Sequence, residues 1–305
     1  MKKKEFAAKV QAEISERLGS DYKVSVKEVV KNNGVVLQGL LIYEKTQNVT
    51  PTIYLEAFQE RYEKGEDWDS IVDKILKLYR DGVPAKPVDM EFFRDFDRVK
   101  NRIAYKLINA RRNKELLKEI PHISFLDLAV CFYYAFDHEA LGNGSILIRN
   151  IQVENWNTNT VELLKLAQKN TKKMFGVEVE DMGNLLARMI CRDLSGESME
   201  ALEGLELQEA VPMKILSNRR RLYGASAMIL PGVLQKIAEE MDANLYILPS
   251  SVHEVILMAD TGREEPKVLR EMVEEVNGTQ VLPEEILSEH VYYYDRDKKE
   301  ISMIA

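Results

Sequence analysis

The residues with the clearest chemical potential lie in one short stretch, "ILPSSVHEVILM", at residues 247–258. It places Ser250, Ser251, His253 and Glu254 between apolar runs. Serine, histidine and a carboxylate are the groups that a hydrolase uses as nucleophile, general base and orienting acid. Side chains alternate along an extended strand, so Ser251 and His253 would point to the same face. These four residues are therefore weak candidates for a hydrolase-like site of an atypical kind.

Two known catalytic motifs are excluded in this stretch. The zinc motif H-E-x-x-H needs a second histidine four residues after His253, and that position is Leu257. The nucleophile elbow G-x-S-x-G needs glycines, which the sequence around Ser250 lacks. The competing interpretation is a turn or bulge between two core strands, in which serine hydroxyls satisfy backbone groups. We favour the turn and keep the site as the alternative.

A second candidate is the basic run Arg219, Arg220 and Arg221, which follows Asn218. It lies between a predicted strand and a predicted helix, where helix N-terminal amides can hold an anion. Neither of the glycine-rich phosphate loops, G-x-x-x-x-G-K-[ST] or G-x-G-x-x-G, occurs at this junction. The run therefore allows a weak anion or nucleic-acid contact, while a solvated loop is the favoured interpretation.

Charge and composition limit the classes of partner. The chain has 305 residues and a formal net charge of −8, which argues against general nucleic-acid binding because phosphates require a basic surface. The basic start "MKKKEFAAKVQAEISERLG" is interrupted by charges such as Lys9 and Glu13, so a secretion signal is not predicted. No apolar run approaches the length of a membrane span. A cytoplasmic protein that does not enter a membrane is expected, and a protein partner remains open.

Cysteines and histidines give no metal or cofactor signal. Cys131 and Cys191 are far apart in sequence and sit among apolar residues, so we expect buried free thiols in a reducing compartment. His122, His138 and His290 are isolated and lack the spacing of metal ligands. No metal site and no cofactor is predicted.

Hydrophobic periodicity and turn residues predict an α+β fold, with antiparallel or mixed sheets built from hairpins and covered by helices. Asn32-Asn33-Gly34 predicts a hairpin turn between two alternating runs. A single strand buried on both faces is expected at residues 123–136, followed by a second strand at 146–153. The patterns also predict helices over residues 5–18, 56–79, 159–174, 224–241 (with Pro231 at its start or at a kink) and 265–277.

The acidic, glycine-punctuated segment "SGESMEALEGLELQEA" is the best candidate for a linker between two halves. It predicts an N-terminal α+β region at residues 1–194 and a C-terminal one at 211–305, joined by residues 195–210. A single integrated unit is the alternative.

Several segments together carry a family resemblance: "KNNGVVLQGLLI", "PTIYLE", "YKLIN", "PHISFLDLAVCFYY", "ILPSSVHEVI" and "LSEHVYYYDR". With them the chain resembles an uncharacterised bacterial family of unknown function, from near its start to about Arg296. The last third is more distantly similar to a second bacterial family of unknown function. The resemblance implies a cytoplasmic bacterial protein and brings no catalytic residue, cofactor or substrate.

The function best supported by the sequence is non-enzymatic, either ligand binding or protein interaction, because a large core comes without a recognised nucleophile, metal set or phosphate loop. The alternatives are an atypical hydrolase at Ser251, His253 and Glu254, and an anion or nucleic-acid contact through the three arginines.

Overall fold

The computed structural model describes residues 2–84, 91–138, 142–183, 212–249 and 251–304. The chain divides into two compact units. The first comprises Met1–Arg98 and Ala135–Ile146, and the second comprises Val99–Tyr134 and Leu147–Ala305. Each unit is described by itself below.

The first unit is built around an antiparallel sheet of three strands in the order β1-β2-β3. The Asn-Gly turn predicted from sequence joins the first two strands: Asn33 has φ 60° and Gly34 has φ 70°, and Val30 pairs with Val36 beside them. Both positive φ values suit these residue types, so the hairpin prediction is confirmed. The elements are α1 (Lys3–Leu18), β1 (Tyr22–Val30), β2 (Val36–Glu44), β3 (Thr52–Tyr54), α2 (Glu56–Glu63) and α3 (Trp68–Gly82).

Helices cover one face of this sheet and form its core. The apolar stripe of α1 is buried, with Val10 and Ile14 fully inaccessible. It packs with the buried side of α3 and with the alternate residues of β2 that face the helices, such as Leu40. The apolar residues that recur about every 3.6 positions in the helices thus pack against the apolar residues that recur every second position in the strand.

The single helix expected at residues 56–79 is two helices. The chain breaks at Gly65, whose φ of 95° belongs to the region that only glycine adopts freely. Asp67 then starts α3, and its side chain accepts a hydrogen bond from the Ser70 backbone N–H at 3.1 Å. The apolar residues keep a helical spacing across this break, so hydrophobic periodicity alone predicted one continuous helix.

In the second unit, the strand expected at residues 123–136 is a hairpin of two strands, β5 and β6. Leu126 turns the chain with φ 53° and is itself 41% exposed. Phe125 pairs with Leu128 directly beside this turn. The sheet has the order β4-β6-β5, and β7 also pairs with β6. Its strands are β4 (Ile103–Asn109), β5 (His122–Phe125), β6 (Leu128–His138) and β7 (Gly142–Leu147). The residues of β6 from Ala135 onward and those of β7 up to Ile146 are assigned to the first unit.

Four helices accompany these strands: α4 (Phe96–Val99), α5 (Lys114–Leu117), α6 (Asn150–Asn155) and α7 (Thr160–Phe175). The prediction of a strand at residues 146–153 was wrong beyond Leu147, because β7 ends there and α6 begins at Asn150. Helix α7 agrees with the prediction. Its N-cap Asn159 accepts hydrogen bonds from the backbone N–H groups of Val161 and Glu162, both at 3.0 Å.

A six-stranded antiparallel sheet forms the rest of the second unit, in the order β13-β12-β10-β11-β9-β8. One face of this sheet packs on the helix Pro266–Thr279. Leu269 and Val273 of the helix form a buried cluster there with Tyr246, Met258 and Val291. The elements are β8 (Glu178–Asp181), β9 (Met213–Ser217), α8 (Val233–Met241), β10 (Leu245–Leu248), β11 (Val255–Ala259), α9 (Pro266–Thr279), β12 (Tyr292–Asp295) and β13 (Glu300–Met303).

The helix expected at residues 224–241 is interrupted. A short 3₁₀ helix spans Gly224–Ile229, and α8 begins only at Val233. Pro231 lacks the N–H group that a helix interior requires, and Gly232 has φ 79°, so the chain cannot remain helical through this point. The 3₁₀ helix contacts β9 and β11.

The α+β fold with antiparallel sheets is thus confirmed. The segment at residues 195–210 lies outside the described residues, so its role as a linker stays a prediction. Strands β8 and β9, on either side of it in sequence, pair from Glu178↔Ser217 to Asp181↔Lys214. No helix in the described part of the chain combines the length and apolar character needed to cross a bilayer.

We predict that Asn159→Ala lowers the free energy of unfolding by about 1 kcal/mol, because two N–H groups at the start of α7 lose their acceptor. Urea unfolding followed by circular dichroism measures this. Lys165→Ala, on the exposed side of the same helix, should change stability by less than about 0.5 kcal/mol. Equal effects of the two substitutions would contradict the capping role.

Candidate functional site

The stretch that holds Ser251 and His253 joins β10 to β11, as the turn interpretation expected. Ser251 forms an isolated bridge with Ile286, and the Val252 N–H donates to the Glu285 carbonyl at 2.8 Å. The Ser251 hydroxyl oxygen accepts the His253 backbone N–H at 3.0 Å. Ser251 therefore has the local backbone role that short turns give to serine. Ser250 lies outside the described residues.

Both ring nitrogens of His253 have partners other than Ser251. Nδ1 accepts the backbone N–H of Tyr223 at 3.3 Å, and Nε2 lies 3.3 Å from Oε1 of Glu285. An accepting Nδ1 requires the ring proton to be on Nε2, where it faces the Glu285 carboxylate. The imidazole also stacks on the Tyr223 ring, with 6.0 Å between centroids. In this arrangement no ring nitrogen is left to take a proton from Ser251.

Glu254 and Arg221 connect the two regions that the sequence singled out. The Arg221 guanidinium donates to Glu180 and lies 3.5 Å from Glu178 and 4.0 Å from Glu254. Three carboxylates thus surround this one cation. Because their charges oppose it, Arg221 offers little net positive charge to an anionic ligand.

The rest of the basic run is engaged locally as well. The Asn218 side chain closes the loop, accepting the Arg220 N–H at 3.0 Å and donating to the Leu222 carbonyl at 2.8 Å. The Arg220 guanidinium lies over the Phe175 ring, 5.4 Å from its centroid. Arg219 packs against Gly176, where an added Cβ would come 3.1 Å from its Nε. The following helix is a buried 3₁₀ turn, so it offers no helix N-terminus of useful length.

A cluster around Asp127 was missed from sequence. The Ser288 hydroxyl donates to Oδ2 of Asp127 at 2.7 Å, and Nδ1 of His290 lies 3.1 Å from the same oxygen. The Tyr292 hydroxyl donates to Oδ1. The Ser288 oxygen also accepts the His290 backbone N–H at 3.0 Å. We refer to Asp127, Ser288, His290 and Tyr292 as the Asp127 cluster.

The Asp127 cluster contains serine, histidine and aspartate, but not in the order of a catalytic triad. A triad requires the serine at the histidine nitrogen opposite the carboxylate. Here Ser288 donates to Asp127 and lies 3.4 Å from Nδ1 of His290, the nitrogen that faces the carboxylate. Nε2 of His290 has no hydrogen-bond partner among the described residues. His290 is therefore an oriented base without a neighbouring nucleophile in that part of the chain.

Burial and charge shift the pKa of the phenol in this cluster. Burial raises the pKa of Tyr292 far above its ordinary value, and the Asp127 charge and hydrogen bond act in the same direction. Tyr292 therefore keeps its proton at neutral pH and donates a hydrogen bond to Asp127. Within the described residues, no group of three or more His, Cys, Asp or Glu side chains is arranged to hold a metal ion.

A pocket of about 410 Å³ lies in the second unit, beside the edge strands β12 and β13. It is called the edge pocket below. Its walls are mostly apolar, and its size falls within the roughly 300–1,000 Å³ that small-molecule sites occupy. Tyr294 and Ile301 come from the two strands, Phe125 from β5, and the other lining residues are Met228, Ile229, Leu230, Pro231, Gly232, Leu234, Gln235 and Lys299.

Few polar groups line the edge pocket, and Tyr294 is the most buried of them. The residue as a whole is 5% exposed, and its hydroxyl, which has no hydrogen-bond partner among the described residues, remains accessible to solvent. Burial raises the pKa of Tyr294, and the charges of Glu239 and Asp295 raise it further. The hydroxyl thus keeps its proton and can act as a hydrogen-bond donor.

A model of DUF5688, a family of unknown function, matches residues 3–296 of the chain. The chain belongs to this family. The DUF5688 match confirms the near full-length resemblance seen in the sequence segments, and the likeness of the last third to a second family stays a prediction. No curated protein and no solved structure matches the chain. DUF5688 membership therefore supplies no catalytic residue, and the site must be argued from its geometry.

We expect Asp127→Asn to lower the free energy of unfolding by about 2–3 kcal/mol. Three side-chain donors face this group, and an amide offers one oxygen and two further donors in place of two acceptor oxygens. Thermal and urea unfolding measure the loss.

The matched control is Asp297→Asn, an exposed aspartate in the turn between β12 and β13. Its free energy of unfolding should stay within about 0.5 kcal/mol of that of the parent chain. If Asp127→Asn is as mild as this control, the cluster does not stabilise the fold.

A second prediction concerns alkaline pH. Burial and a hydrogen bond to Asp260 raise the pKa of Tyr293 from 10.0 to about 12. Above pH 10 the unfolded chain loses this proton while the folded chain keeps it, so stability falls as pH rises through this window. Urea midpoints at about pH 8 and about pH 11 should show the fall, and Tyr293→Phe should reduce it. An unchanged fall in the variant would contradict this assignment.

Proposed function

We propose that the chain is a non-enzymatic binding protein, and that the edge pocket is its ligand site. The observation that carries the proposal is a half-open pocket of about 410 Å³ that is lined mainly by apolar side chains. Well-formed apolar pockets with a few convergent polar groups are the usual form of small-molecule sites. A site of action in the cytoplasm is part of the proposal, on the ground that Cys131 is a free, buried thiol.

The state of His253 favours binding over hydrolysis. A hydrolase base needs a ring nitrogen free to accept a proton from the nucleophile. Both nitrogens of His253 face other groups, and the Ser251 oxygen accepts a backbone N–H. A hydrolase at Ser251, His253 and Glu254 would require this turn to rearrange.

His290 is the better oriented histidine for acid–base chemistry, since Asp127 holds its Nδ1. Its side chain is 34% exposed, so a substrate could reach Nε2. No serine, threonine or cysteine is hydrogen-bonded to that nitrogen within the described residues. A nucleophile would have to come from solvent or substrate, and for this reason binding remains the first proposal.

An anion or nucleic-acid contact through Arg219, Arg220 and Arg221 remains the other alternative. The carboxylates around Arg221 reduce the net positive charge of these arginines. The packing of the Arg220 guanidinium on Phe175 limits how far that side chain can reach a ligand. A protein partner in place of a small molecule also remains compatible with a binding role.

The test is to block the edge pocket with a bulky side chain. Ile301 lines the pocket and is only half-buried on the edge strand β13, so Ile301→Trp can fill the space without a new core residue. Titration with the uncharged dye Nile red, followed by fluorescence, should show saturable binding to the parent chain. Binding should weaken by at least about tenfold in Ile301→Trp, a loss of about 1.4 kcal/mol.

The matched control is Ser302→Trp, one residue further along β13 and on its opposite face. It adds the same side chain outside the pocket and should bind Nile red like the parent. Absence of saturable binding, or equal binding by both tryptophan variants, would exclude the edge pocket as the site.

A further inference from the structure

The outermost strand of the six-stranded sheet lies beside the edge pocket. Strand β13 pairs with β12 along one side, and no strand in the described part of the chain pairs with its other side. Ile301 of this strand lines the pocket. An unpaired edge presents a row of main-chain N–H and C=O groups, which can pair with a further strand. The pocket and the open edge are independent features that meet at one residue.

The hydrogen-bond register shows which main-chain groups of β13 point outward. The Ile304 N–H donates to the Val291 carbonyl at 3.0 Å, one position beyond the paired residues of β12 and β13. Hydrogen-bonded and non-hydrogen-bonded pairs alternate along an antiparallel ladder, so Ser302 and Ile304 turn their main-chain groups towards β12. Ile301 and Met303 occupy the alternate positions. Their N–H and C=O groups therefore point away from the sheet.

The alternation of side chains connects this open edge to the pocket. In an antiparallel ladder, the side chains of directly opposed residues lie on the same face of the sheet. A residue opposite Ile301 on an added strand would therefore lie on the face that carries Ile301, which is the pocket face. Main-chain pairing gives such a complex its affinity, and a pocket for an alternate side chain gives it specificity.

Strand β13 has fewer of the charges that protect the other sheet edges. The opposite edge strand, β8, has three carboxylates in the four residues Glu178–Asp181, and the edge strand β1 carries two lysines and a glutamate. Charged side chains on an edge strand discourage further pairing. After Glu300, residues Ile301–Ile304 carry no charge, and Met303 is 46% exposed. This edge is therefore open to strand addition.

A cation lies at the pocket end of the same edge. Lys299 lines the pocket and is exposed in the turn before β13, and no carboxylate pairs with it in the described part of the chain. On an added antiparallel strand, the side chain two residues after the one opposite Ile301 would lie at the end of β13 where Lys299 is found. An acidic side chain fits this position by charge complementarity.

We propose that β13 and the edge pocket bind an extended segment of a partner protein. The segment adds to the sheet as an antiparallel strand, as in all the described pairings of this sheet, and forms main-chain hydrogen bonds with Ile301 and Met303. An apolar side chain opposite Ile301 enters the pocket, and an acidic side chain two residues later pairs with Lys299. This inference rests on the proposed binding function and names the ligand class as a peptide.

The test is isothermal titration calorimetry of the full chain with the capped peptide acetyl-Thr-Val-Thr-Leu-Thr-Glu-Thr-amide. Its valine, leucine and glutamate are spaced to lie opposite Met303, opposite Ile301 and beside Lys299. Binding should saturate. The leucine N–H would face β13, so N-methylation of the leucine should weaken binding at least about tenfold. The N–H of the next threonine would face solvent, so N-methylation there should leave binding unchanged.

Substitutions in the chain test the same contacts. Met303→Pro removes an N–H that points outward, a position where an edge strand tolerates proline, and should weaken peptide binding at least about tenfold. Met303→Val, which keeps that N–H, should retain binding. Lys299→Glu should weaken binding of this peptide, and a peptide with lysine in place of its glutamate should restore it. Lys267→Gln, which removes an exposed charge on α9, serves as the control and should bind like the parent.

The outcomes separate this inference from the proposed function. If Nile red binds and Ile301→Trp blocks it, but the peptide does not bind or both N-methylated peptides bind equally, strand addition is overturned while the binding function stands. Concentration-dependent dimerisation that Met303→Pro abolishes, measured by analytical ultracentrifugation, would overturn the partner protein in favour of a second copy of the chain. If neither Nile red nor the peptide binds, both proposals fail.

Discussion

The carboxylate of Asp127 joins, through hydrogen bonds, two segments of the second unit that lie far apart in sequence. Its side chain is 17% exposed, so much of its hydration is lost. A charge removed from water is stable only where hydrogen bonds replace the water. Among the described residues, the side-chain donors that do so come from one segment, Ser288 to Tyr292. A single buried charge thereby fixes the turn of the β5–β6 hairpin to the start of β12.

This attachment also positions two walls of the edge pocket. Phe125 lies two residues before Asp127, and Tyr294 lies two residues after Tyr292. Tyr292 and Tyr294 lie on the same face of β12 because side chains alternate along a strand, and Asp127 lies in the turn directly after β5, which ends at Phe125. The same segment is held from its other side, since the Ser288 N–H donates to the Pro249 carbonyl at 3.1 Å and Ser251 bridges Ile286. Pro249 and Ser251 are thus neighbours of the segment from Ile286 to Ser288 in the fold, although they lie far apart in the sequence.

Local features of the fold could be predicted from sequence, and distant pairings could not. The Asn-Gly hairpin, the stripe of α1 and the start of α7 each depend on residues close together in the chain. The helix break at Gly65 was missed because one residue with positive φ hardly disturbs an apolar period, whereas Pro231 already indicated a helix start or a kink next to Gly232. His290 looked isolated because its partner Asp127 is 163 residues away. His253 looked like a base because its sequence neighbours are serine and glutamate, whereas its ring contacts Tyr223 and Glu285.

The interruption of the helix before α8 affects both the fold and the lining of the edge pocket. Pro231 and Gly232 end one helical segment and start another without a side-chain cap, and so leave backbone donors at the wall of a cavity. Tyr294 lines the same pocket, and its hydroxyl is accessible to solvent. Water can therefore satisfy these donors in the free chain, and a ligand that displaces the water must bring acceptors of its own. The interruption that prevents a continuous helix thus also limits which ligand chemistry the edge pocket can accept.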